Sequence, residues 1–159
     1  MQHDEFIGKV QQRARLSSRS QAETATEATL LTLAERLVGG SAENIAAQLD
    51  PETAQYMDDV EFGEPFSLEE FFERVSDREG VDVPDAVHHA RSVVSVLCEA
   101  VSEGALRNAR AQLSEEWDPL FEAGSEGEMR PSGERRGRSG RSRRPAAETE
   151  EGFGDEREV

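Results

Sequence analysis

The segment DEFIGKVQQRARL (4–16) returns 65 positions later as EEFFERVSDREGV (69–81). After the next loop, QAETATEATLLTLAERLVGGSAENIAAQLDPE (21–52) returns 64 positions later as DAVHHARSVVSVLCEAVSEGALRNARAQLSEE (85–116). One extra residue in the SSRS loop, relative to DVP, accounts for the change of offset. Identities run in order along both copies: Glu5/Glu70, Phe6/Phe71, Val10/Val75, Arg13/Arg78, Leu33/Leu97, Glu35/Glu99, Asn44/Asn108 and Gln48/Gln112. A unit this short cannot hide its apolar faces by itself, so the two copies are expected to share one interior. The prediction is an all-α helical bundle of two tandem homologous three-to-four-helix repeats, related by a pseudo-twofold. Repeat one covers 1–58 and repeat two 66–122 within a duplicated domain over 1–122; residues 123–159 are expected to form a disordered tail.

Local signals place the helices. Ser67-Leu68-Glu69-Glu70 reads as a capping box, with Ser67 accepting from the Glu70 amide and Phe66 and Phe71 as a hydrophobic staple. That helix is expected to end near Arg78, and its counterpart to span Asp4 to Ala14. Ser18 with Gln21 caps the first long helix; Asp82 caps the second, with Pro84 in an opening turn that needs no amide donor. Apolar residues then recur at helical spacing: Ala22, Ala25, Leu30, Leu33 and Leu37 in one copy, Ala86, Ala90, Val93, Leu97 and Val101 in the other. Leu31, Ala34 and Val38 widen the first stripe, and Val94, Cys98 and Ala105 the second. Gly40 and Gly104 suit left-handed helix ends. Shorter helices carry Ile45 and Leu49, or Leu106 and Leu113. Last turns then hold Tyr56 and Met57, or Trp117, Leu120 and Phe121, with Pro119 expected to distort the second. The linker 58–66 is expected to be tethered by Phe62 and Phe66.

Charge limits the partners. All but seven of the 34 acids fall in residues 1–128, with ten of the 18 basic residues, so the helical part is a polyanion. Such a surface repels nucleic acids and anionic membranes. Lys9 is the single lysine. An acid-rich, lysine-poor surface suits a protein dispersed in concentrated salt, which reads as a halophile's cytosolic protein. The start MQHDEF lacks a signal peptide's pattern and no apolar run approaches a membrane span, so a cytoplasmic location without membrane is expected. The single Cys98 rules out an intrachain disulfide and is expected to be a buried structural thiol.

The stretches EFIGKVQQRA, TLAERLVGG, AAQLDPE, EEFFERVSDREGVD and VLCEAVSEG…RAQLSEEW together resemble domain-of-unknown-function family 2267, small duplicated helical proteins of bacteria and haloarchaea. The resemblance spans about residues 1–122. It implies a helical fold, brings no catalytic residues and no established activity, and leaves the tail uncovered.

Candidate chemistry is thin. Asp85-x-x-His88, beside His89, places a carboxylate and an imidazole on one helix face, as helical metal sites do. The aligned positions Thr24 and Ala25 do not repeat it, so solvated or cap-proximal histidines are expected and no metal or cofactor is assigned. Glu5/Glu70 read as helix N-terminal charges and Glu35/Glu99 as solvated or loop-bonded. Asn44/Asn108 and Gln48/Gln112 share a face at i and i+4. They are expected to hydrogen-bond the turn after the glycine or the next helix. Phosphate-binding and nucleophile-elbow motifs do not occur. In the tail, Arg135, Arg136, Arg138, Arg141, Arg143 and Arg144 form an Arg/Gly/Ser run of the kind that binds phosphate backbones, though a solubilising role, or one lying against the acidic core or the acidic end of the tail, is the preferred reading. The reading is a non-enzymatic helical interaction or scaffold protein with an unidentified protein partner and self-association as a further option. Nucleic-acid association through the tail and a metal-binding helical protein are the alternatives.

Overall fold

Helix starts follow from side chains that accept the first free amides. In a computed structural model describing residues 1–38, 40–58, 60 and 63–122, Ser18 Oγ accepts from the Gln21 amide, Ser67 Oγ from Glu70, Asp82 Oδ1 from Asp85 and Ser102 Oγ from Ala105, at 3.1–3.2 Å. Each such cap satisfies an amide that the helix itself leaves unpaired, worth about 1 kcal/mol. The helices are α1 (His3–Ala14), α2 (Arg19–Arg36), α3 (Gly40–Ala47), α4 (Pro51–Ala54), α5 (Leu68–Glu79), α6 (Val83–Ala100) and α7 (Glu103–Arg110). Single 3-10 turns cover Gln55–Met57 and Glu115–Trp117. Every regular element among the described residues is helical.

Helix ends differ from the glycine expectation. α2 stops at Leu37 and α6 at Val101, both in extended backbone with φ −84° and −123°. Both side chains are buried, so the chain leaves each long helix by turning an apolar residue into the core. Gly40 instead opens α3 and Gly104 lies inside α7. The left-handed caps follow the shorter helices. Gly80 (φ 77°) ends α5 without strain, whereas the aligned Arg15 (φ 58°) ends α1 at a cost a glycine would not bear. Gly63 (φ 78°) is also required: a Cβ there would stand 2.9 Å from Val38 Cγ1, while its amide bonds Leu37 O.

α2 and α6 form the middle of the bundle and pack on each other. α1 lies against α2 and also against α6; α5 lies against α6 and also against α2; α3 meets α7. The expected stripes are buried, with Leu30, Leu33, Leu37, Val93 and Leu97 fully enclosed. Each such side chain contributes about 1.5–3 kcal/mol by leaving water. Phe6 and Phe71 occupy aligned positions and are equally enclosed; Phe71 packs edge-on against Trp117 at 5.3 Å between ring centres. Phe66 also leans on Trp117, so the staple closes through the indole.

Several details correct the sequence reading. Val38 is 52% exposed rather than part of the stripe. Cys98 is half-buried, because it sits on the shoulder of α6. Pro119 lies in the first turn of a helical stretch at 118–122, where its missing amide costs nothing, so it starts that turn. Buried hydroxyls were not foreseen: Thr26, Thr29 and Thr32 lie fully inside on α2, where α6 has Ala90, Val93 and Val96. Phe62 and the whole arginine run fall outside the described residues.

Candidate functional site

Glu35 and Glu99 are bonded across the molecule. Glu99, on α6, accepts from Lys9 Nζ at 3.0 Å and from the Arg13 guanidinium, both on α1. Glu35, on α2, accepts from Arg78 at 2.7 and 2.9 Å and from Arg74 at 3.2 Å, both on α5. Lys9 and Arg74 are aligned positions, as are Arg13 and Arg78. Glu5 and Glu70 brace the same cations one turn earlier, at 3.7 Å to Lys9 and 2.7 Å to Arg74. Burial alone would raise Glu99, but hydrogen bonds from Lys9 and Arg13 outweigh it and hold its carboxyl below the usual range. Glu64 is also lowered, mainly by its hydrogen bond from Arg74. The Arg74 guanidinium additionally covers the Phe66 ring at 4.0 Å.

The glutamines make the second matched pair. Gln112 Oε1 accepts from the Val38 amide at 2.7 Å, and its amide group meets Ser41 Oγ. Gln48 Oε1 accepts from the Ser102 amide at 2.6 Å and its nitrogen donates to Ser102 Oγ at 3.2 Å. Val38 and Ser102 are aligned positions. Each glutamine thus binds the chain just before the short helix of the aligned segment, rather than the turn after the glycine as expected. Asn44 and Asn108 stay exposed on α3 and α7.

One corner breaks the match. Glu79 ends α5, and its Oε2 is hydrogen-bonded to Nδ1 of His89 on α6. The side chains are only 4% and 11% exposed. The aligned residues are Ala14 and Ala25, also buried. A cleft of about 280 Å³ adjoins the pair, lined by Leu16, Ser20, Gln21, Thr24, Gly80 and Val81 as well. Glu79 Oε1 is buried with no hydrogen-bond partner among the described residues. Burial pushes the Glu79 carboxyl up, against the opposing pull of His89, with the Asp85 charge adding to the rise.

His89 is therefore buried and bound to Glu79, correcting the expectation of solvated histidines; His88 remains exposed, and Asp85 gives its amide to the Asp82 cap. Among the described residues, no three His, Cys, Asp or Glu side chains are grouped as a metal ion would require. No described helix is long and apolar enough to cross a membrane. Arg135, Arg136, Arg138, Arg141, Arg143 and Arg144 lie outside the described residues. Sequence reasoning passed over Glu79 altogether. Its signal was present: Glu79 and His89 are two titratable residues standing where the other copy has alanines.

Comparison with known proteins gives one finding. The model of a family described as uncharacterized conserved protein (DUF2267) matches residues 3–120, bearing out the resemblance read from the sequence. No curated protein matches the chain.

Proposed function

The chain belongs to the DUF2267 family, and on that footing we propose that residues 1–122 are a non-enzymatic interaction scaffold of two tandem copies paired about a pseudo-twofold. Residues 123–159 are then a separate appendage. The observation carrying this reading is the crossed use of matched polar groups. Glu35 with Glu99 and Gln48 with Gln112 are committed to holding one copy against the other, at aligned positions on both sides. Identical residues exposed in both copies include Asn44 and Asn108, on α3 and α7. A protein partner that engages both would gain from bivalency without any new contact.

The test is capture of a partner at native salt by the full chain and by Asn44→Arg, Asn108→Arg and the double variant. The expected result is partial loss in each single variant and near-complete loss in the double, with helical content unchanged. Equal capture by all four proteins, or no partner at all, overturns the reading.

The acid-rich, single-lysine composition supports a salt-adapted cytoplasmic protein. Its unfolding midpoint is expected to rise between low and molar KCl; an unchanged or falling midpoint contradicts that. The arginine run supports a second reading, nucleic-acid binding through Arg135, Arg136, Arg138, Arg141, Arg143 and Arg144. Truncation after Gly124 would abolish RNA or DNA retention if that is right, and leave it intact if not.

A further inference from the structure

In the two matched junctions the carboxylate faces cations that stay charged at any ordinary pH: Arg74 and Arg78 for Glu35, Lys9 and Arg13 for Glu99. Among the described residues Glu79 has no such partner. Its neighbour is an imidazole, whose charge depends on a proton. From the connection between α1 and α2, and from α2 itself, the residues facing it across the cleft are Leu16, Ser20, Gln21 and Thr24, all uncharged. From α6 come His89 and the Asp85 charge. On α5, Arg78 is taken by Glu35. The charge balance of this corner therefore rests on protons shared by two side chains.

We propose that the Glu79–His89 pair is a proton-operated latch that holds the α5–α6 corner closed over Leu16 and Val81 and lets it open when the pair loses its proton. With one proton the pair is neutral, either as imidazolium with carboxylate or as imidazole with carboxylic acid. Without it, a bare carboxylate remains in a site where Oε1 has nothing to accept from among the described residues. Burying that charge is costly, and admitting water along the cleft relieves it. The direction follows from Glu79, whose raised carboxyl holds a proton more tightly closed than open. The contribution of Glu79 to closure is thus present at and below the ordinary carboxyl range and is lost as pH rises through the raised value.

Opening would uncover Leu16 and Val81, half-buried now, next to Val83, which is already 40% exposed. The result is an apolar strip presented on the alkaline side and hidden on the acid side. The latch goes beyond the scaffold reading and does not depend on it, since no partner is needed to observe it.

Methyl NMR of the full chain, with His89 ring signals followed in parallel from about pH 5 to about pH 9, tests the latch. In the unaltered protein the Leu16 and Val81 methyls are expected to shift together with the His89 ring. In Glu79→Gln, which keeps a hydrogen-bonding group without the charge, the methyls should lose their pH response while helical content persists. His89→Gln, which removes the imidazole partner, should likewise abolish the methyl response; should it fail to fold, Glu79→Gln alone still decides. Methyls that stay still across that pH range, or a response undiminished in Glu79→Gln, would overturn the proposal.

Discussion

The two segments that align in sequence agree at their charged junctions and part company at one corner. The contrast is sharpest between Glu99, near the end of α6, and Glu79, at the end of α5. Both lose water on folding, yet Glu99 is held below the usual carboxyl range and Glu79 above it. The difference lies in the partner. Two permanent cations from α1 more than offset the burial of Glu99; one imidazole does not offset that of Glu79. Glu35 and Glu99, which recur at aligned positions, each bond a neighbouring helix. Glu79, which stands opposite an alanine in the aligned segment, brings a titration that those bonds do not need.

The widest test of the matched halves strikes the core. Phe6→Ala and Phe71→Ala should each cost about 3–5 kcal/mol in chemical denaturation. The two should agree within about 1 kcal/mol if the copies contribute equally. A near-neutral Phe6→Ala would break the comparison at its base. Next come the junctions. Glu35→Gln and Glu99→Gln each remove the carboxylate that Arg78 or Arg13 pairs with, while Arg74 and Lys9 keep Glu70 and Glu5, and a loss of roughly 1–3 kcal/mol is expected at neutral pH. For Glu99 the contribution is present above the ordinary carboxyl range and disappears as pH falls through its lowered value, opposite in sign to Glu79. Unfolding curves across that range should therefore converge for wild type and Glu99→Gln on the acid side. The smallest effect belongs to the glutamines: Gln48→Ala and Gln112→Ala should each cost about 1 kcal/mol. Clearly unequal losses would show that the crossed caps are not equivalent.

The local part of this structure was legible in the sequence. Ser18, Ser67 and Asp82 cap helices because their side chains reach an amide only three residues ahead, and that spacing can be read directly. The apolar stripes on α2 and α6 were legible for the same reason. What failed was decided at a distance. Gly40 and Gly104 looked like helix stops, but burial of Leu37 and Val101 ends the helices earlier. The i, i+3 rule suggested Asp85 with His88, whereas the bond that forms joins His89 to Glu79 across the turn. Glu35 and Glu99 were noticed as a matched pair, yet their partners could not be named without knowing that α5 crosses to α2 and α1 to α6. Nothing local distinguishes Thr26 and Thr29, whose hydroxyls are buried without partners among the described residues.

The crossed arrangement also orders events during synthesis. α1 is made first but needs α6, whose last residue is Ala100, to cover its outer side and to receive Lys9 and Arg13. A nascent chain that has released only α1 to α4 still displays the faces meant for α5 and α6. Long-range pairing of this kind slows folding relative to a bundle closed by neighbours in sequence. The early chain therefore waits with apolar faces uncovered, and the acidic excess that could help keep it dispersed falls mostly in the later residues.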